Sequence, residues 1–431
     1  MTQPQLVALA VLAAVVAALI HGRLRSDVVA LSGAAILLAT RTVRPIEVQG
    51  AFASPAIIAL AALFVIAYAM ELSGLLGLLI RGATRLCSHL GAAGLWIVVG
   101  LAGAVSAFLN NTPIVVLAAP VVRDVAESMK LSPKRFLIPL SYVTILGGAC
   151  TLIGTSTNLL VNDMARSAGQ PAFGMFEITP VGVIVALAGG VYLLLFGGRL
   201  LTSGPSDAPE GERVLGEQNA PDDDPSLFPV NRPFQPVRAL SALAVFVAVV
   251  SAAALGVAPI AATAFAGAVL LVLLGVISVD EAYRGLRPEV LFLIAGMVVV
   301  GLSLEVTGLA AVATDALVVW VRDLGPLWAL ALLYGATLLL TEALSNAAVA
   351  VLLTPVAVAL AESLGVSPRP FLIAVMMAAS AAFATPFGYQ TNVLVYQLGR
   401  YSYLDFVRIG VPLNLLTWAL GVAVIPAFFP F

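Results

Sequence analysis

Two clusters of small polar side chains interrupt the apolar sequence at matching places in the two halves of the chain. The first is Asn110-Asn111-Thr112, and the second is Ser345-Asn346-Ala347, 235 positions later. Each is followed by a stretch that begins with glycine and ends in Thr-Asn, at residues 154–158 and 388–392. Amide and hydroxyl oxygens are neutral ligands that suit a weakly held monovalent cation such as Na⁺. The residue types therefore predict cation binding at both clusters.

A polar residue before each cluster extends this pattern. Ser106 precedes Asn110 by four positions, and Thr341 precedes Ser345 by the same spacing. Residues four apart lie on one face of a helix, so each pair is predicted to share a helical face. Such residues can also serve only to join helices within a membrane. The matched occurrence in both halves favours ligand binding.

The elements that must position these residues are membrane helices. The chain has 431 residues, of which 61% are hydrophobic and 10% charged, and its mean hydropathy is +1.06. A bilayer core of about 30 Å takes roughly 20 residues per helix, which allows about ten spans or more, beginning with a retained span at 1–20. We predict an all-α polytopic protein of the lipid bilayer. A soluble enzyme, a nucleic-acid-binding protein and a disulfide scaffold are excluded.

The two halves of the sequence repeat each other. The segment 71–75, Glu-Leu-Ser-Gly-Leu, is answered by 305–309, Glu-Val-Thr-Gly-Leu, and the two glycine-led stretches are likewise 234 positions apart. A segment rich in proline and acidic residues separates the halves and is predicted to be a solvated linker. We predict N-terminal spans at 1–50, a first repeat at 51–202, the linker at 203–237 and a second repeat at 238–431.

Basic residues predict how the clusters enter the membrane. Lys and Arg are enriched in cytoplasmic loops, and six of them flank both ends of segment 92–122: Arg81, Arg85, Arg123, Lys130, Lys134 and Arg135. This segment is therefore predicted to be a re-entrant helical hairpin with Asn110–Pro113 at its tip. The equivalent flanks of the second half contain only Arg322 and Arg369. A second hairpin, with Ser345–Ala348 at its tip, is predicted to enter from the opposite face, which makes the repeats inverted.

The glycine-led stretches are predicted to break one transmembrane helix in each repeat. A broken helix exposes backbone carbonyls for cations and a half-helix N-terminus for an anion. Thr385-Pro386 contributes to the second break. The two breaks are therefore predicted to complete the sites that the hairpin tips begin.

These motifs resemble the paired Ser-Asn-Thr motifs of the divalent anion/sodium symporter family, the permeases for dicarboxylates, citrate and sulfate in the ion transporter superfamily. The resemblance covers nearly the whole chain after the first span or two. It implies a Na⁺-coupled symporter of the inner (plasma) membrane, an elevator-type homodimer in which each protomer has a scaffold and a moving transport domain. It implies no cofactor other than Na⁺ as coupling ion.

The resemblance also implies roles for individual residues, to which the two breaks add their threonines and asparagines. One Na⁺ would be surrounded by Ser106, Asn110, Asn111, Gly154 and Asn158, and the other by Thr341, Ser345, Asn346, Gly388 and Asn392. The anion would contact Asn111, Thr112, Thr157, Ser345, Asn346 and Thr391. Asn110 stands where the family has serine, and Ala347 stands where it has threonine. The loss of that hydroxyl implies a substrate smaller than a dicarboxylate, or one held on one side mainly by Asn111 and Thr112.

Two other functions stay open from the sequence. A cation/proton antiporter or an arsenite-type exporter of the same superfamily requires titratable groups in the core, for which Glu71, Glu305 and Glu342 are available. An intramembrane enzyme requires paired acids, a Ser/His arrangement or a metal cluster, and none is apparent in the apolar spans. We therefore expect a transporter of a small anion and not an enzyme.

Overall fold

The computed structural model describes residues 2–21, 24–75, 90–201, 234–309, 325–386 and 388–431. Within these ranges the chain is helical and contains no β-strand, which confirms the predicted all-α class. Most of the linker predicted at 203–237 lies outside the described residues, as do Arg81, Arg85, Arg322 and the side chain of Glu305. Pro236 and Val237, at the end of that predicted linker, are instead helical, since proline is favoured in the first turn of a helix.

The first half contains nine helices and a short tenth within the described residues. They are α1 (Gln3–His21), α2 (Ser26–Ala39), α3 (Pro45–Phe52), α4 (Pro55–Leu72), α5 (Ala92–Ser106), α6 (Asn111–Ser128), α7 (Lys134–Gly148), α8 (Ser156–Ser167), α9 (Thr179–Tyr192) and α10 (Gly198–Leu201). A π-helical turn at Leu193–Gly197 joins α9 to α10.

The second half follows the same order. Its helices are α11 (Pro236–Ala254), α12 (Ile260–Leu273), α13 (Val279–Gly285), α14 (Pro288–Val306), α15 (Pro326–Thr341), α16 (Asn346–Ser363), α17 (Arg369–Ala379), α18 (Gln390–Gly399) and α19 (Tyr403–Phe428). Helices α2 and α12 begin 234 positions apart, so the correspondence includes residues before position 51. The domain boundaries given above stay a prediction.

Several helices are long and apolar enough to cross a membrane. In the described part of the chain, five helical segments meet this test, and a sixth does so if the bent pair α13–α14 counts as one span. Helices α5, α12 and α15 are apolar but shorter. Large apolar side chains on the outer faces are exposed, such as Leu187 at 66% and Leu240 at 70%. Such faces are suited to lipid contact.

The two halves pack into each other around the breaks. Helix α18, which follows the second break, packs against α6 and α7 of the first half. Helix α8, which follows the first break, packs in the same way against α16 and α17 of the second half. The helix after each break therefore packs against the helix that follows the other tip and against the broken helix of the other repeat.

Helices α5 and α7 cross at glycine. A Cβ atom on Gly147 would lie 2.0 Å from the backbone oxygen of Gly103, and one on Gly103 would lie 2.9 Å from the backbone oxygen of Val143. Because these contacts are with backbone, no side-chain rotation can relieve them. The close crossing holds α7 against the hairpin, and it depends on the absence of side chains at both positions.

We expect Gly147→Ala to lower the free energy of unfolding by about 1–3 kcal/mol, because the added methyl group forces α5 and α7 apart. Unfolding of the purified protein in mixed micelles measures this effect. Gly100→Ala is the matched control on α5, because a Cβ there meets no atom within 4 Å. It should be neutral or stabilising. Equal stability of the two variants would contradict the proposed role of the glycine crossing.

Candidate functional site

The first tip joins α5 to α6 through residues 107–110. Asn110 is the N-cap of α6, and its side-chain oxygen accepts a hydrogen bond from the backbone N–H of Thr112 at 3.3 Å. The hydroxyl of Ser106, at the end of α5, donates to Oδ1 of Asn111. Both side chains are buried. The tip is therefore closed by a serine–asparagine pair across the turn.

The second tip, between α15 and α16, repeats this arrangement. Ser345 is the N-cap of α16 and accepts from the N–H of Ala348 at 3.3 Å. The hydroxyl of Thr341 lies 2.7 Å from the side-chain amide of Asn346 and donates to the backbone oxygen of Ala379 at 2.6 Å. When the Asn346 amide nitrogen faces the Thr341 hydroxyl and the Ala379 carbonyl, it also donates to the backbone oxygen of Gly388 at 3.3 Å. The second tip thereby contacts the second break.

The prediction that Ser106 shares a helical face with Asn110, and Thr341 with Ser345, is wrong. Helix α5 ends at Ser106 and helix α15 ends at Thr341, so neither pair lies on one helix. Asn110 and Ser345 instead cap the following helices, as expected of N-cap residues. The side chains that meet are five positions apart, Ser106 with Asn111 and Thr341 with Asn346.

The first break covers residues 149–155, between α7 and α8. The hydroxyl of Thr151 accepts from the backbone N–H of Gly154 at 3.1 Å and donates to the backbone oxygen of Ala107 in the first tip. The side-chain amide of Asn158 donates to the backbone oxygen of Thr151 at 2.9 Å. Thr151, Gly154 and Asn158 thus satisfy backbone groups that the helix no longer pairs.

The second break, between α17 and α18, is held by the equivalent three residues. The hydroxyl of Thr385 accepts from the N–H of Gly388 at 3.1 Å. Asn392 donates to the backbone oxygens of Ala382 at 2.8 Å and Thr385 at 3.3 Å. The sequence predicted that Thr385 contributes to the second break, but the hydrogen bonds that Thr151 and Thr385 make were not predicted. Each threonine precedes the glycine by three positions, and the two share its 234-residue spacing, which is the signal that could have revealed them.

Glycine is required by close packing at both breaks. A Cβ on Gly154 would lie 2.4 Å from the backbone oxygen of Gly148 and 2.8 Å from that of Ala107. A Cβ on Gly388 would lie 2.8 Å from Cβ of Ala382 and 3.2 Å from Oε2 of Glu342. Only a residue without a side chain allows each break to lie this close to its neighbours.

Glu342 binds the second break to its tip. Its carboxylate accepts from the backbone N–H groups of Ala384 at 2.7 Å and Thr385 at 2.9 Å, and from the Thr385 hydroxyl at 2.8 Å. It also accepts from the side-chain amide of Asn414, on α19, at 2.7 Å. The equivalent position of the first tip is Ala107, whose backbone oxygen accepts from Thr151 instead. The two repeats therefore differ by one half-buried carboxylate.

Side chains of the second break also reach the first repeat. The amide nitrogen of Asn111 donates to the phenol oxygen of Tyr389 at 2.8 Å, and the Thr112 hydroxyl donates to Oε1 of Gln390 at 3.3 Å. The Ser141 hydroxyl, on α7, lies 2.7 Å from Oδ1 of Asn392 and 2.8 Å from the hydroxyl of Thr391. The structure thus brings the first tip and the second break into direct contact.

Asn158 and Asn392, the asparagines of the two breaks, differ in whether the side-chain oxygen has a hydrogen-bond partner. Oδ1 of Asn392 accepts a hydrogen bond from Ser141. Oδ1 of Asn158 is buried and has no hydrogen-bond partner within the described ranges. Its neighbour Thr157 is also buried, and the Thr155 and Thr157 hydroxyls are 3.4 Å apart. A buried amide oxygen without a donor can accept a hydrogen bond from a water molecule or bind a cation.

Comparison with known proteins identifies related chains. The pattern of the CitMHS citrate transporter family matches residues 14–365. An uncharacterized transporter of Synechocystis is 26% identical over 90% of this chain and 91% of its own length. Sodium/sulfate cotransporter 1 of Chlamydomonas reinhardtii is 35% identical over a shorter region, 36% of this chain and 18% of that protein.

A solved structure has the same fold. MtrF of Neisseria gonorrhoeae, which belongs to a class of antimetabolite efflux pumps, aligns with a TM-score of 0.57 over 90% of this chain and 83% of that chain, at 13% identity. That likeness concerns the fold alone. The family match covers most of the sequence and agrees with the apolar helices described above. The chain therefore belongs to the CitMHS citrate transporter family and is a multi-pass membrane transporter, not an enzyme.

Proposed function

We propose that this protein is a Na⁺-coupled symporter of a divalent anion, a dicarboxylate or sulfate, in the inner (plasma) membrane. The single observation that carries the proposal is the pair of tip-and-break arrangements, each with buried neutral oxygens beside unwound backbone. Relatives named as sodium/sulfate cotransporters support it. The inverted repeats, the re-entrant hairpins, the elevator mechanism and the homodimer belong to the same proposal.

The first cation is proposed to bind among Ser106, Asn110, Asn111, Gly154 and Asn158. The vacant Oδ1 of Asn158 supports this position, because a buried amide oxygen without a donor costs about 1–3 kcal/mol and a cation removes that cost. A neutral oxygen set holds a monovalent ion weakly enough for release on the other side of the membrane. The Ser106 hydroxyl must turn away from Asn111 when the ion binds.

The second cation is proposed to bind among Thr341, Ser345, Asn346, Gly388 and Asn392. Thr341 contacts Asn346 here as Ser106 contacts Asn111 in the first site, but Oδ1 of Asn392, unlike that of Asn158, already accepts from Ser141. An entering ion must displace these contacts. The two sites are therefore expected to differ in affinity, with the first binding Na⁺ more tightly.

The anion is proposed to lie between the tips. Asn111, Thr112 and Thr157 come from the first repeat, and Ser345, Asn346 and Thr391 come from the second. Their amide and hydroxyl groups can donate to anion oxygens. Two bound cations offset the charge of a dianion and order the tips, so the anion binds well only to the Na⁺-loaded state. This linkage couples uptake of the anion to the Na⁺ gradient.

We expect Asn111→Ala and Asn346→Ala each to abolish uptake while the protein stays folded, because each removes a tip amide that is proposed to contact both ion and anion. Na⁺-driven uptake of labelled succinate and sulfate into proteoliposomes measures the effect. Gln397→Ala is the control, since it removes an exposed amide from α18. Normal uptake by either tip variant would contradict the assignment of the site.

The matched asparagines test the first cation site. We expect Asn158→Leu to raise the Na⁺ concentration for half-maximal uptake by about tenfold more than Asn392→Leu does. Both variants lose the same hydrogen bond to a break threonine, but only Asn158 has a vacant oxygen. A tenfold difference corresponds to about 1.4 kcal/mol, within the range for one buried ligand. An unchanged Na⁺ concentration for half-maximal uptake in Asn158→Leu would contradict a cation at Asn158.

Glu342→Gln distinguishes this proposal from proton coupling. The variant places an amide N–H₂ group where a carboxylate oxygen accepts hydrogen bonds from donors. We therefore expect the free energy of unfolding to fall by about 1–3 kcal/mol. The uptake that remains should still depend on the Na⁺ gradient. Uptake is measured with a Na⁺ gradient and with a pH gradient in choline. Wild-type transport driven by the pH gradient and lost in Glu342→Gln would favour the cation/proton antiporter or the arsenite-type exporter.

A further inference from the structure

The linker between α8 and α9 is longer than its counterpart in the second repeat. It covers residues 168–178, whereas residues 400–402 join α18 to α19. After the breaks the repeat continues at a spacing of 228 positions, at which Gly174 and Glu177 correspond to Ser402 and Asp405. In each pair the backbone N–H of the first residue donates to the carboxylate of the second, at 2.8 Å and 2.9 Å. Because the breaks themselves are 234 positions apart, the first linker contains six additional residues.

Each linker is tied by an ion pair to the broken helix of the other repeat. Lys134 begins α7 and lies 3.9 Å from the carboxylate of Asp405. Arg369 begins α17, 235 positions later, and its Nε donates to Oε1 of Glu177 at 2.9 Å. Its guanidinium also donates to the backbone oxygens of residues 171 and 172 in the longer linker, at 3.1 Å and 3.4 Å. A planar guanidinium can donate to several acceptors at once, so one arginine from the second half holds this linker at several points.

The longer linker extends from α17 to the first tip. Cζ of Arg369 lies 4.3 Å from the ring centroid of Phe173, which is buried. Phe176 contacts Phe108 of the first tip, with ring centroids 6.3 Å apart. The residue that corresponds to Phe176 in the second repeat is Leu404, which has no ring. We call residues 168–178 the strap, because they join the start of one broken helix to the tip beside the other.

The strap and the first residue of α9 satisfy two backbone groups that the first break leaves without helical partners. The backbone oxygen of Met175 accepts from the N–H of Leu152 at 3.0 Å. The hydroxyl of Thr179 donates to the backbone oxygen of Cys150 at 2.8 Å. Both partners lie two positions from Glu177, whose carboxylate is held by the ion pair. The conformation of the first break therefore depends on the position of the strap.

The second break is fastened differently. Pro386 stands at the position of Leu152 and has no N–H to satisfy. Two backbone N–H groups of the second break donate to the carboxylate of Glu342. The first tip has Ala107 at that position, so it offers no carboxylate there. A carboxylate thus fastens each break, directly at the second and through Glu177 and the strap at the first.

We propose that Arg369 is a positioning residue for the first cation site, because it holds the strap against the first break and so fixes the conformation in which that break binds Na⁺. Release of the ion pair frees the strap, and the Leu152 N–H and the Cys150 carbonyl then lose their partners. The break can then rearrange, which lowers its affinity for the cation. This inference rests on the proposed function, since Gly154 and Asn158 are proposed cation ligands.

The thiol of Cys150 reports the state of the first break without any transport. Cys150 is 7% exposed, so its alkylation by N-ethylmaleimide requires the break to open. The chain has two cysteines, and Cys87→Ser leaves Cys150 as the single thiol. In this background and without Na⁺, we expect Arg369→Gln to raise the alkylation rate about fivefold or more, and Phe176→Ala to raise it about threefold. Arg369→Lys keeps the charge but not the guanidinium, so its rate should lie between those of the parent and Arg369→Gln.

The matched controls are the counterparts in the second repeat, Lys134→Gln and Leu404→Ala. Each should leave the alkylation rate within about twofold of the parent, since neither touches the strap. Uptake of labelled succinate and sulfate into proteoliposomes gives the second measurement. Arg369→Gln should raise the Na⁺ concentration for half-maximal uptake about fivefold, with a smaller effect on the maximal rate, whereas Lys134→Gln should not change that concentration.

An unchanged alkylation rate in folded Arg369→Gln, or an equal increase in Lys134→Gln, would overturn the inference. If Arg369→Gln does not fold, an unchanged rate in Phe176→Ala overturns it. Faster alkylation with an unchanged Na⁺ dependence of uptake would overturn the role of Arg369 at the cation site. Absence of Na⁺-driven uptake by the parent would overturn the proposed function, while the alkylation rates would still decide whether the strap holds the first break.

Discussion

An interrupted helix among apolar neighbours must find other partners for its backbone N–H and C=O groups, and the rest of this structure depends on how that is achieved. Both breaks use a threonine, a glycine and an asparagine at the same spacing. The threonine hydroxyl accepts from the glycine N–H, and the asparagine amide donates to the threonine carbonyl. With the backbone satisfied in this way, each break can lie against a tip, and side chains of both repeats can approach one another.

The repeats share this framework but differ in the residues around it. The second tip has the Glu342 carboxylate where the first has Ala107, and Oδ1 of Asn392 is bonded to Ser141 whereas Oδ1 of Asn158 is vacant. The second break is consequently held by more hydrogen bonds than the first. The framework is therefore symmetric, whereas its contacts are not. Among the described residues, the buried amide oxygen without a partner belongs to Asn158 at the first break, and near the second break it belongs to Asn414, which donates to Glu342.

The sequence predicted the framework better than the contacts. The repeated spacing located both tips and both breaks to within a few residues, because glycine and N-cap residues act locally. Each turn lies just before the predicted tip and ends at its N-cap, Asn110 or Ser345, and each break begins before the predicted glycine. The sequence predicted the wrong partner for Ser106, because the end of α5 cannot be located in a helix that is apolar on every face. The partners of Glu342 lie 42, 43 and 72 positions away, and Asn111 and Tyr389 are 278 apart. The Glu342 contacts form when helices of the second half pack together, and the Asn111–Tyr389 contact forms when the two halves pack, so no local pattern indicates either.

Asn111 stands at the centre of that packing. Its oxygen accepts from Ser106 in its own repeat, and its nitrogen donates to Tyr389 in the other. A cation that takes the oxygen or an anion that takes the nitrogen must change one of these two contacts, and both belong to the same planar amide. Rotation of the amide for one ligand changes its position for the other. Because such coupling is reciprocal, a ligand bound by the first tip alters the second break, and a ligand bound at the second break alters the first tip.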